Sequence, residues 1–129
     1  MARPQRILIV DDSATELALA RSVLQQAGYQ VRTATDGEQA IELADQEAPD
    51  LVVLDVVMPR KNGFQVCRHL KMGSATKGCK VLMLSSKGQD ADRFWAMKQG
   101  ADLYMTKPFD PDALLKLARE VLGLGVTSA

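Results

Sequence analysis

The chain reads as a doubly wound α/β fold, (βα)5, whose five parallel strands lie in the order 2-1-3-4-5. Short apolar runs alternate with longer segments of helical period from Ile7 onward, as a parallel sheet with crossover helices requires. The run Leu51 to Leu54 is apolar without interruption and is read as a strand buried on both faces. It ends in Asp55 and breaks at Met58-Pro59, leaving a carboxylate at the edge of the core. Asp11-Asp12 follow the run Ile7 to Val10 in the same way. Carboxylates at two strand ends place a ligand crevice at one rim of the sheet.

Each element can be justified in turn. Ser13 is a plausible N-cap for a first helix whose Leu17, Ala20, Leu24 and Ala27 recur at helical spacing until Gly28. Tyr29 to Ala34 alternates as a half-exposed strand suited to a sheet edge. Asp36 caps the second helix, with Gln39 as its capping-box partner and Ala40, Ile41, Ala44 and Ala48 as its inner stripe, before Pro49-Asp50. After the turn Arg60 to Gly63, the third helix turns Phe64, Cys67 and Leu70 inward, and Gly73 to Gly78 is a loop. Val81 to Leu84 is the fourth strand, ending in Ser85-Ser86. The next helix, Asp90 to Gln99, is read with Ala91, Phe94 and Met97 inward and Trp95 off that stripe, partly exposed. Leu103 to Thr106 is the fifth strand. Asp110-Pro111 caps and opens a last helix with Leu114, Ala118 and Val121 inward. Residues 5–123 are expected to form one domain, with 124–129 a flexible tail and no output domain.

The totals argue against several classes of function. Sixteen basic and 16 acidic residues cancel, and 47% of the 129 residues are apolar, so neither a nucleic-acid surface nor disorder is indicated. The apolar run after Met1 to Arg6 is too short for a signal peptide or a membrane span, and a soluble, cytoplasmic protein is expected. Cys67 and Cys79 form no CxxC or His/Cys cluster and are read as idle thiols. His69 is expected on a helix surface.

Four of the five strands end in residues able to do chemistry: Asp11-Asp12, Asp55, Ser85 and Lys107. Right-handed crossovers bring these ends to one rim. Three carboxylates in one crevice repel one another unless a proton or a cation intervenes, and an all-oxygen set suits Mg²⁺. Lys107 and Ser85 offer an ammonium and a hydroxyl to a transferring phosphoryl group, and Asp55 can be the nucleophile that forms an aspartyl phosphate. The blander reading makes Asp55 a strand-end turn residue and Lys107 a counter-charge to the acidic cluster.

ILIVDDS, LVVLDVVMPRKNGF and GADLYMTKPF, in that order and spanning nearly the whole chain, resemble the receiver domain of bacterial two-component response regulators. The resemblance implies a flavodoxin/CheY-like fold in which Asp55 accepts a phosphoryl group from the phosphohistidine of a histidine kinase. It implies Mg²⁺ held by Asp12, Asp55 and the backbone carbonyl of Val57, with Asp11 acting through water. Lys107 would pair with the phosphoryl group across a cis bond to Pro108. Ser85 would move to the phosphoryl oxygen, with Tyr104 turning inward in step. Trp95 and Tyr104 would mark the partner surface. Val57 and Lys87 stand where many relatives carry acidic or amide groups, a difference that bears on the lifetime of the phosphoryl group.

The function expected is therefore a stand-alone, phosphorylation-controlled interaction switch and not a turnover enzyme. The stretch Gln89 to Lys107 resembles single-domain regulators of twitching motility and type IV pilus chemosensory systems. A histidine kinase or phosphotransfer protein and an unknown output protein are its expected partners, with no nucleic acid or membrane, and with the chain a monomer or a weak phosphorylation-dependent dimer. A phosphorelay intermediate and a phosphorylation-independent receiver-like binding module fit the same residues. A haloacid-dehalogenase-type phosphohydrolase is disfavoured, because it has a DxD after its first strand and a cap insertion. A flavin module is disfavoured because Asp11-Asp12 repels a phosphate.

Overall fold

The computed structural model describes residues 5–58, 60–85 and 90–122, the side chains of 90–92 excepted. Pro59, Ser86, Lys87, the inward placement expected of Ala91 and the tail from Gly123 lie outside the described residues. Five strands, β1 (Arg6–Val10), β2 (Gln30–Ala34), β3 (Leu51–Asp55), β4 (Lys80–Ser85) and β5 (Leu103–Thr106), alternate with five helices. The helices are α1 (Ala14–Gln26), α2 (Gly37–Glu47), α3 (Gly63–Met72), α4 (Asp90–Lys98) and α5 (Pro111–Val121). The sheet is parallel throughout, as the alternation of runs predicts, and its order β2-β1-β3-β4-β5 is the one expected of the doubly wound fold.

The two-residue period of a strand divides the core into two layers. Leu8, Val10, Val52, Leu54, Val81 and Met83 point to one face and are covered by α2, α3 and α4 through Ala40, Ala44, Val66, Cys67, Leu70 and Ala96. Ile7, Ile9, Leu51, Val53, Leu82 and Leu84 point to the other, under α1 and α5 through Ala20, Leu24, Leu114 and Ala118. All five residues of β3 are buried, so the central strand carries its terminal Asp55 into the interior edge of both layers. β2 is the half-exposed edge expected from its alternation.

The helix ends follow their capping residues. Ser13, Asp36, Asn62 and Asp110 accept hydrogen bonds from the backbone of Glu16, Gln39, Gln65 and Ala113. The box expected at Asp36 closes one residue early, because the Gln39 side chain takes the N–H of Thr35 at 2.9 Å. Ala48 is not on the inner stripe of α2. It is the C-cap, at φ 48° and exposed.

The larger correction concerns α4. Phe94 and Met97, expected inward, are 57% and 47% exposed, and Ala96 is the buried residue. Ala96 faces the sheet instead, while Arg93, exposed, lays its guanidinium 5.2 Å from the centre of the Tyr104 ring. That ring fills the space beneath the helix, so a small residue is wanted above it and the large apolar ones turn outward. Trp95, 53% exposed, edges against Phe94 at 5.9 Å between ring centroids. Tyr104, expected on the partner surface, is 7% exposed and belongs to the core.

Gly63 begins α3 directly under the end of β3, where its N–H donates to the Val56 carbonyl at 2.8 Å. A Cβ there would run into the Asp55 carbonyl oxygen and come within 2.8 Å of the Val56 Cα, both backbone. Gly63→Ala is therefore expected to lower unfolding stability by about 2–4 kcal/mol in urea denaturation. A change within about 0.5 kcal/mol would show that this junction yields freely.

Candidate functional site

Parallel register decides which side chains meet. Val10 pairs with Leu54, so one position further on Asp11 and Asp55 fall side by side at the ends of neighbouring strands. Asp55 pairs in turn with Leu84, which brings Ser85 to the next strand end, and Ser85 pairs with Thr106, the residue before Lys107. The Lys107 N–H closes this ladder by donating to the Ser85 carbonyl at 2.7 Å. Asp11, Asp55 and Ser85 are buried at 3%, 6% and 1% exposure, whereas Asp12 faces solvent. Carboxylate oxygens of Asp11, Asp12 and Asp55 all lie within 4.8 Å of one another.

The Lys107 ammonium is the counter-charge. It donates to Asp11 Oδ2 at 2.7 Å, stands 2.6 Å from Glu16 Oε1 and is 3.5 Å from Asp55 Oδ1. Asp11 is fixed further by the Ser13 N–H, which donates to its Oδ1 at 2.9 Å. Burial works against the charge on Lys107, yet Asp11 and Glu16, with Asp55 behind them, outweigh it and hold the lysine above its ordinary range. Among the described residues, one cation stands among four carboxylates and leaves the rim negative, a donor set that fits a hard divalent ion.

Asp55 feels the imbalance most. Burial, joined by repulsion from Asp11, outweighs the pull of Lys107 and leaves its carboxyl raised to about 6. Val57, whose N–H also favours the Asp55 carboxylate, lies on the segment just past it with its side chain 56% exposed. The Lys107-Pro108 bond is cis.

The other residues singled out from the sequence stay apart from this rim. His69 is exposed on α3 and pairs with Asp45 of α2 at 3.3 Å. Cys67 and Cys79 are free, buried thiols, pushed by burial up to about 12 and about 11 and so far from the reactive thiolate. Glu16 escaped the sequence reading. The signal for it was its place three residues after the Ser13 cap, in the first turn of α1 above Asp11.

A carboxyl whose folded value lies above its ordinary 3.8 stabilises the fold while protonated, and that contribution is lost as pH rises through about 6. With a chelator present, Asp55→Asn is expected to be more stable than wild type above that pH, by about 2–3 kcal/mol, and the gap to close below about pH 4. Thermal melts across pH 4 to 8 check the sign. An Asp55→Asn variant less stable at pH 8 would contradict it.

The geometry has relatives. Residues 7–119 match the family described as the response regulator receiver domain. Protein PilH of Pseudomonas aeruginosa is 44% identical over 117 residues, covering 91% of this chain and 97% of that protein. The alkaline phosphatase synthesis transcriptional regulatory protein PhoP of Bacillus subtilis is 42% identical, over 83% of this chain but 44% of its own length. Among solved structures, the chemotaxis response regulator CheY4 of Vibrio cholerae superposes with a TM-score of 0.87 at 34% identity, covering 92% of this chain and 99% of that one. No helix among the described residues is long and apolar enough to cross a membrane. The run of acidic, hydroxyl and ammonium groups along one sheet edge thus has its explanation in descent: this chain belongs to the response regulator receiver family.

Proposed function

We propose that this receiver is a cytoplasmic switch that takes a phosphoryl group from the phosphohistidine of a histidine kinase or phosphotransfer protein onto Asp55. The observation that carries this reading is the convergence of Asp11, Asp12 and Asp55 oxygens within 4.8 Å, beside a Lys107 ammonium 3.5 Å from Asp55. In the transfer, a carboxylate oxygen of Asp55 bonds to phosphorus as the bond from phosphorus to the histidine nitrogen breaks, and that electron pair stays on the imidazole.

Asp12, Asp55 and the Val57 carbonyl would hold Mg²⁺, with Asp11 acting through water, and the ion would neutralise charge on the phosphoryl oxygens. Lys107 neutralises another of those oxygens, and Ser85, at the neighbouring strand end, donates its hydroxyl to a third. The raised carboxyl of Asp55 supports this division of labour, since ionising it for attack calls for positive charge nearby.

The new charge would be read on the face of α4, β5 and α5. Tyr104 in its inward position lies beneath α4, and Phe94, Trp95 and Met97 stand exposed above it for an output protein. Likeness to PilH and to a chemotaxis regulator supports motility or chemosensory signalling, of the twitching-motility and type IV pilus type.

Intact-mass spectrometry after incubation with Mg²⁺ and acetyl phosphate tests the reading. Wild type is expected to gain one phosphoryl group, lost when Mg²⁺ is chelated first, and Asp55→Asn to gain none. Lys107→Ala is expected to gain it at least about tenfold more slowly. An adduct on Asp55→Asn, or none on wild type, would contradict the assignment.

A further inference from the structure

Glu16 sits at the third position of α1, where a glutamate ordinarily returns its carboxylate to the N–H of the capping residue. Here half of that arrangement is present. Ser13 Oγ accepts from the Glu16 N–H at 3.4 Å, but the Ser13 N–H is already given to Asp11 Oδ1 at 2.9 Å. The Glu16 carboxylate, displaced from its cap, turns to Lys107 at 2.6 Å. Its Oε1 is shut off from solvent and accepts no well-directed hydrogen bond, so the contact is one of charge.

The consequence falls on Asp55. The ammonium lies close to Asp11 and Glu16, at 2.7 and 2.6 Å, and stands off from Asp55 at 3.5 Å. Lys107 is 10% exposed, and solvent gives it little help in exchanging partners. A phosphoryl group on Asp55 needs that ammonium, and Glu16 is the partner it can release. Glu16 lies outside the three-carboxylate cluster suited to a metal, and its side chain is 39% exposed.

We propose that Glu16 is a positioning residue that holds the Lys107 ammonium off Asp55 and competes with the phosphoryl group for it, so that it limits how tightly the site retains that group. This rests on the phosphoacceptor reading above. Removing the carboxylate frees the lysine, and retention of the phosphoryl group tightens.

Binding of beryllofluoride with Mg²⁺ to the full chain, followed by fluorine NMR, reads the competition without turnover. Glu16→Gln is expected to tighten beryllofluoride by about three- to tenfold, while Mg²⁺ affinity stays the same or weakens. Damage to the fold would weaken both. Glu16→Asp, which withdraws the charge by one methylene, is expected to fall between. In a Lys107→Ala background the Glu16→Gln effect is expected to shrink below about twofold, because the competition runs through the lysine. Equal affinity of wild type and Glu16→Gln, or the full gain persisting without Lys107, would overturn the proposal with the phosphoacceptor reading intact. Wild type that binds no beryllofluoride in the presence of Mg²⁺ would overturn both.

Discussion

The carboxylates of Asp11, Asp12 and Asp55, brought together within 4.8 Å with the Lys107 ammonium beside them, are the constraint on which the rest of this structure turns. Such a cluster is unfavourable in itself: the charges repel, and burial removes the water that would screen them. It exists because β1 and β3 are neighbours in a parallel sheet whose register aligns their ends, and because two apolar layers hold those strands in place. Hydrophobic burial thus sustains an electrostatic arrangement that would disperse in an unfolded chain.

The surrounding structure serves that edge. Gly63 lets α3 start against the Asp55 carbonyl, and Ser13 caps α1 while fixing Asp11. The β4–β5 ladder delivers Lys107 across the rim from a distance of 96 residues in sequence. On the far side of β5, Tyr104 lies in the core under Arg93, linking the strand before Lys107 to a helix whose large apolar residues face out. A charge change at the rim therefore acts on elements already in contact with an exposed apolar surface, which is the physical requirement for a switch read at that surface.

Strand positions and the convergence of Asp11, Asp12, Asp55, Ser85 and Lys107 were legible in the sequence, because buried parallel strands leave uninterrupted apolar runs and the polar residue ending each run must lie at the rim, whereas the sheet order rested on likeness to the doubly wound flavodoxin-like fold. What periodicity could not convey was the orientation of α4. Phe94 and Met97 have helical spacing, but the side that packs is decided by the Tyr104 ring beneath, a tertiary fact. Tyr104, which the family resemblance placed on the partner face and expected to turn inward, already lies inward here. Glu16 was missed because its part depends on a backbone donor being taken by Asp11, a competition visible only once both are placed. The two cysteines and His69, by contrast, needed only the absence of partners at ligand spacing.

The central claim is that three strand-end carboxylates form one divalent-cation site poised for phosphoryl chemistry. Titrating Mg²⁺ into the uniformly labelled protein and following backbone amide resonances tests it most directly. Saturable shifts centred on residues 11, 12 and 55–57, abolished in Asp12→Ala, are what this account predicts. Shifts scattered over the surface without saturation, or unchanged in Asp12→Ala, would mean that the acidic rim is balanced by Lys107 alone and that the chain works without a metal.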